Sequence, residues 1–209
     1  MKFATLALSI AFAPLLAVSP MQAATVTQLR EQYVEANFKS IDGCITTYVY
    51  VVASTSATRV SGRGGFSNIG YASIIVNQED DPANGPECGT TTLLRTDYLE
   101  LPAANVQIAN GSGRASISGS GIAYNSETSE SSEYTISLNW RPNSNPTNLN
   151  INYVEDYGGM IVRAVGNVRE RSAVASGTVI SEGINFTPRP TSDALVRSVQ
   201  NATIEVTRR

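Results

Sequence analysis

Glu133-Tyr134-Thr135-Ile136-Ser137-Leu138-Asn139-Trp140-Arg141 alternates without a break. Tyr134, Ile136, Leu138 and Trp140 fall on one side. Glu133, Thr135, Ser137, Asn139 and Arg141 fall on the other, which is the period-2 signature of a strand with one dry face and one wet face. Leu149, Ile151 and Tyr153 resume the same period after Pro142–Asn148, which reads as a turn. Upstream, a Ser/Glu-rich connector runs from Asn125 to Glu133. Before it, Val106–Ile108 and Ser116–Tyr124 flank Asn110-Gly111-Ser112-Gly113, a hairpin signature.

The pattern extends to both ends of the chain. Met160–Val168 and Ala173–Ile180 flank Arg169-Glu170-Arg171, a further hairpin candidate, and Thr203–Thr207 forms a last strand. Towards the N-terminus, Tyr33–Ser40 alternates, Asp42-Gly43 supplies the dipeptide that favours a tight hairpin turn, and Cys44–Ala53 returns. Tyr71–Gln78 and Leu93–Leu101 add two more strands. Val26–Gln32 is the single helical candidate and reads equally well as the first strand. About ten short strands with no crossover helix predict an all-β antiparallel fold. The expected architecture is a β-sandwich or jelly roll, with a closed β-barrel as the alternative. An outer-membrane barrel fits poorly, because aromatics are 7% of the chain and two interfacial girdles need more.

The chain opens with Met1-Lys2, an apolar run from Phe3 to Val18, and small residues at Ala23-Ala24. That order predicts a secretory signal over residues 1–23, leaving 24–209 as one β-domain. Pro14 and Pro20 interrupt a run already shorter than the ~20 apolar residues of a membrane span. No later stretch reads as a transmembrane segment, so the expected location is secreted or periplasmic.

Composition narrows the chemistry further. The 209 residues carry 15 basic and 18 acidic side chains, a net charge of −3, with no basic block. Phosphate backbones need clustered positive charge, so nucleic acid is not an expected partner. Histidine is absent. Ser-His-Asp and Cys-His nucleophile systems cannot be assembled from this chain, nor can imidazole-ligated metal sites. Cys44 and Cys88 are the two cysteines, and in an exported chain they read as a structural disulfide.

Two clusters carry candidate sites. Asn77–Cys88 is the densest run of oxygen ligands, and Asp80, Asp81 and Glu87 are candidate calcium ligands there. An acidic surface loop is the plainer account, since the spacing departs from the EF-hand pattern. Tyr48 and Tyr50 share one face of their strand while Ile45, Val49 and Val51 occupy the other, so they are candidates for stacking on sugar rings. Trp140 and Tyr153 continue the apolar faces of their own strands and read as core. The loop Arg59–Gly65 combines two guanidiniums with a permissive backbone but lacks the phosphate-loop spacing. No carboxylate pair can be singled out as catalytic. The expectation is therefore an exported, non-enzymatic binding or structural module whose partner is an extracellular glycan or protein. The alternative is a carbohydrate-active protein, either a sugar-binding module or a histidine-free glycosidase.

Overall fold

A computed structural model describes residues 25–60, 65–109, 111–181, 184–187 and 190–208. The segment read as a secretory signal lies outside them, as do residues 61–64 of the arginine- and glycine-rich loop. The strands are β1 (Thr25–Asp42), β2 (Ile45–Val60), β3 (Ser67–Asp80), β4 (Thr92–Pro102), β5 (Val106–Ile108) and β6 (Ala115–Asn125). They continue as β7 (Ser131–Pro142), β8 (Thr147–Asp156), β9 (Met160–Ser181), β10 (Ile184–Phe186) and β11 (Thr191–Arg208). The all-β antiparallel class is as expected. Val26–Gln32, the ambiguous segment, is strand.

The strands belong to one sheet bent into a ring. Pairing runs β9–β11–β1–β2–β3–β4–β6, and β7 bridges β6 back to β9. The pairing therefore closes on itself within a single sheet. The seam between β4 and β6 is the thinnest join, with register pairs only at Asp97–Asn125 and Tyr98–Tyr124 among the described residues. By contrast, the opposite ends of the chain meet along a long ladder that pairs Thr25 with Val206 and Ala36 with Ala194.

Alternation decides which side faces in. Val34, Ala36 and Phe38 of β1, Val49, Val51 and Ala53 of β2, and Ala72, Ile74 and Val76 of β3 are buried together. Tyr134, Ile136, Leu138 and Trp140 of β7 join them, as the opening stretch predicts. The Trp140 indole spans the interior and donates to the Glu35 carbonyl at 2.9 Å. Outward positions such as Glu35, Asn37 and Lys39 are polar. On β1 this apolar-in, polar-out pattern is the reverse of a lipid-facing strand. Among the described residues, no helix is long and apolar enough to cross a membrane.

Two connections differ from the sequence expectation. Arg169-Glu170-Arg171 does not turn; it lies mid-strand in β9, where the neighbour changes from β8 to β7. Pro142–Asn148 does not reverse the chain either, since β7 and β8 run in the same direction along β9. The break is pinned by Ser144, whose hydroxyl accepts from the Ser172 amide at 3.0 Å. The true hairpin lies further on, at Tyr157-Gly158-Gly159, where both glycines take positive φ (68° and 112°). Only glycine enters that region without steric cost, and the dipeptide is the signal that marks the turn.

β1, β2, β3, β9 and β11 run on past the closed part of the ring as an open sheet with β8 at its edge. There the burial switches faces. Val168, Val199 and Ala202 form a second apolar cluster, with Leu29 and Ile151 packed against it.

Candidate functional site

The same alternation that fills the interior lines up a row on the outside. Tyr50 pairs with Ile75, Ile75 with Tyr98, and Tyr98 with Tyr124, across β2, β3, β4 and β6. At the strand spacing of a sheet this row is about 14 Å long. Tyr50, Tyr98 and Tyr124 are 39%, 47% and 52% exposed, so their rings present area to solvent. Exposed Ile122 and Tyr71 flank the row, and Tyr48 lies one step along β2 from Tyr50. Tyr33, Tyr48, Tyr50, Tyr71, Tyr98 and Tyr124 thus share one outer surface, out of nine tyrosines in the chain. Of these, Tyr48 and Tyr50 were expected from the sequence. Tyr98 and Tyr124 are found only through the register, because each sits on a separate strand with an unremarkable local pattern.

Charged neighbours hold this surface in place. The Tyr33 hydroxyl donates to the Glu35 carboxylate at 2.7 Å. Burial, followed by that hydrogen bond and the negative charge of Glu35, pushes the Tyr33 hydroxyl well above its ordinary range. Burial also raises Tyr50, with Glu35 contributing. Lys39 stands 5.1 Å over the Tyr48 ring and Arg197 stands 5.5 Å over the Tyr33 ring. Arg197 also pairs with Glu170 at 2.7 Å. Glu31 lies in this neighbourhood; desolvation raises its carboxyl and the charge of Arg197 opposes that rise. These interactions leave Glu35 and Glu170 engaged with a tyrosine and an arginine.

Behind the row, inside the seam, is a buried polar cluster. Asp97, 1% exposed, accepts from the Tyr134 hydroxyl and from Arg95 Nε, each at 2.5 Å, and from Asn125 Nδ2 at 3.0 Å. Asn125 in turn accepts from the amides of Glu127 and Thr128 with its Oδ1. This is a clamp: it ties β4, β6 and β7 together where the backbone ladder is shortest. Desolvation, reinforced by Asp97, raises the Tyr134 hydroxyl.

The acidic loop is organised around different needs. Cys44 and Cys88 are bonded, as expected. Asp81 caps a short 3-10 turn, accepting from the Ala83 amide at 3.0 Å and from the Thr46 hydroxyl at 3.4 Å. Among the described residues, the metal-capable group of three that converges is Cys44, Glu87 and Cys88, and two of its members are disulfide sulfurs. Asp80, Asp81 and Glu87 are not brought to one point. Of the loop Arg59–Gly65, residues 61–64 lie outside the described residues.

No protein-family model matches this chain, and no curated protein matches it. Among solved structures it is similar to a Nitrosomonas europaea protein whose crystal structure carries the provisional name AttH. Identity is 12% and the TM-score 0.31, over 86% of this chain and 50% of the other. The chain spans about half the length of that protein.

Proposed function

We propose that this protein is an exported, non-enzymatic binding domain whose partner is an extracellular glycan. The observation that carries the reading is the outward row Tyr50–Ile75–Tyr98–Tyr124. Exposed rings aligned across a rigid antiparallel sheet provide flat apolar area with hydroxyls at the rim, which suits the apolar faces and equatorial hydroxyls of sugar rings. The sheet fixes the spacing, so binding orders few side chains. A disulfide that suits an oxidising compartment and an N-terminal segment with the composition of a secretory signal support export.

The test is retention on a panel of soluble and insoluble polysaccharides, followed by titration calorimetry on any that bind. Tyr98→Ala and Tyr124→Ala remove exposed rings with little effect on the core. Each is expected to weaken binding roughly tenfold, the equivalent of about 1.4 kcal/mol. Retention on no polysaccharide, or a Tyr98→Ala/Tyr124→Ala double variant that binds as well as the parent, overturns the proposal.

A further inference from the structure

On the opposite face of the sheet the β1–β11 ladder slips. Leu29 pairs with Ala202 and Glu31 with Val199, so Gln200 and Asn201 together face Arg30 alone. The β9–β11 ladder slips at the same point, between the pairs Asn167–Gln200 and Val165–Thr203. A bulge with two residues against one bends the strand and re-aims its side chains. Asn201 takes a positive φ of 54° to make it. Gly166 makes room for it, since a Cβ there would stand 2.7 Å from the Ala202 Cα.

The bulge opens two adjoining hollows, of about 200 and 230 Å³, which share Arg30 and Asn201. Gln32 and Gln200 complete the polar lining of the larger one. Gln32 is 8% exposed, and its Nε2 donates to Ser198 Oγ at 2.9 Å. Its Oε1 has no partner. Turning the amide over only exchanges the orphan, so one buried polar atom of Gln32, a residue that lines the hollow, is unsatisfied in either orientation. Buried polar atoms are rarely left so.

The charge at the same place is also uncompensated. Arg30 stacks 5.0 Å over the Phe66 ring, and it makes no ion pair among the described residues. Arg169, the register partner of Ser198, keeps a buried Nε without a partner. The carboxylates that share this face, Glu205 and Asp156, lie further out, opposite Arg163 and Ile161. The hollow therefore offers a cation held by an aromatic ring beside three side-chain amides.

We infer that this bulge is a binding site for a small hydroxy-carboxylate of the sugar-acid class. The carboxylate meets the Arg30 guanidinium, whose fork matches it in geometry as well as charge. Hydroxyls meet the amides of Gln32, Gln200 and Asn201, because a hydroxyl both donates and accepts and so satisfies either orientation of an amide. The hollows are smaller than the roughly 300–1,000 Å³ of drug-sized sites, which restricts the ligand to about one ring. The site lies on the face continuous with the ring's interior and does not depend on the outward tyrosines.

Calorimetric titration of the exported chain with D-galacturonate, D-galactose and acetate tests this. Galacturonate is expected to bind saturably, at least tenfold tighter than either control. Arg30→Met removes the cation from a largely exposed position and is expected to weaken binding tenfold or more. Gln32→Glu replaces the donor to Ser198 with an acceptor that the serine hydroxyl can meet by turning, and sets a like charge against the ligand, with the same outcome. Tyr98→Ala/Tyr124→Ala is expected to leave galacturonate binding unchanged, which separates this site from the proposed glycan surface. Absence of a saturable galacturonate response overturns the inference, as does an equal response to acetate or galactose. So does unchanged affinity in Arg30→Met with Trp140 fluorescence still native.

Discussion

Replacing Asp97 with alanine should cost this fold about 3–4 kcal/mol, out of a total that for a domain is on the order of 5–15 kcal/mol. Asp97 accepts hydrogen bonds from Tyr134, Arg95 and Asn125, and it is 1% exposed. Bonds to a charged group contribute about 1.5–3 kcal/mol each, but a simple sum overstates the loss, since burying the carboxylate itself costs energy. A better guide is removal of one partner from a buried ion pair, which costs about 3–5 kcal/mol because the other partner stays behind unpaired. Arg95 keeps 21% of its side-chain exposure and a second hydrogen bond, to Ser132 at 2.8 Å, which places the expected loss toward the lower end. Asp97→Asn retains a carbonyl acceptor and should cost about half as much. Tyr134→Phe removes one of the three bonds and should cost about 1.5–2 kcal/mol. The assay is equilibrium urea unfolding followed by the single tryptophan, Trp140, which lies in the core. A double variant lacking both Asp97 and the Tyr134 hydroxyl should fall short of the sum of its parts, because both deletions break the same bond. An Asp97→Ala variant within 1 kcal/mol of the parent, or full additivity in the double variant, refutes the clamp.

Other outcomes follow from the same coordinates. Tyr33, Tyr50 and Tyr134 are all raised above the ordinary tyrosine value of 10.0, so the folded state holds their protons more tightly than the unfolded chain. Their contribution to stability should be full below pH 10 and fall as pH rises beyond it; the fall should be shallower in Tyr134→Phe, measured by urea midpoints between pH 8 and 11.5. Glu31 is raised above 4.5 by burial, so its charge works against folding at neutral pH. Glu31→Gln should therefore raise the thermal midpoint at pH 7, and the gain should vanish below pH 4. Reducing Cys44–Cys88 releases a loop with a sequence separation of 44. In the chain-entropy model the loss is about 4 kcal/mol, read from unfolding with and without reductant. Among the described residues Asp80, Asp81 and Glu87 do not converge on one point, so the thermal midpoint should be the same in excess calcium and in chelator.

The sequence made the strands legible because half-burial writes a period of two into each of them, and Tyr134 to Trp140 shows it at its plainest. Turns are legible where glycine is needed, as at Gly111-Ser112-Gly113, and Gly158-Gly159 is masked by Pro142–Asn148, which reads as the stronger break. Arg169-Glu170-Arg171 misled because charge normally marks a loop. Here Glu170 points outward to Arg197, and the arginines sit where the interior becomes polar. The candidate surfaces were harder to see for one physical reason. Each depends on which residues of distant strands stand side by side, and register is a property of pairs. Tyr48 and Tyr50 were visible since they share a strand. Their alignment with Tyr98 and Tyr124, and the meeting of Arg30 with Gln200 and Asn201, were not.

The ladder between β1 and β11 has a consequence for how the molecule comes together. Every other ladder that builds the ring spans a much shorter stretch of chain, the longest reaching from Tyr134 to Ser181 and from Met160 to Arg208, so most of the ring can assemble before its ends meet. Joining the first strand to the last means closing a loop that contains nearly all the described residues. The entropy of closing a loop grows only slowly with its length, but the search for such a contact is slow compared with local hairpin formation. The disulfide offers no help, because Cys44 and Cys88 both lie in the N-terminal half and oxidation leaves the two ends apart. Ring closure is then the late step in folding. Until it happens β1 and β11 are both bare edges, and the newly made chain is most exposed to pairing with the wrong partner.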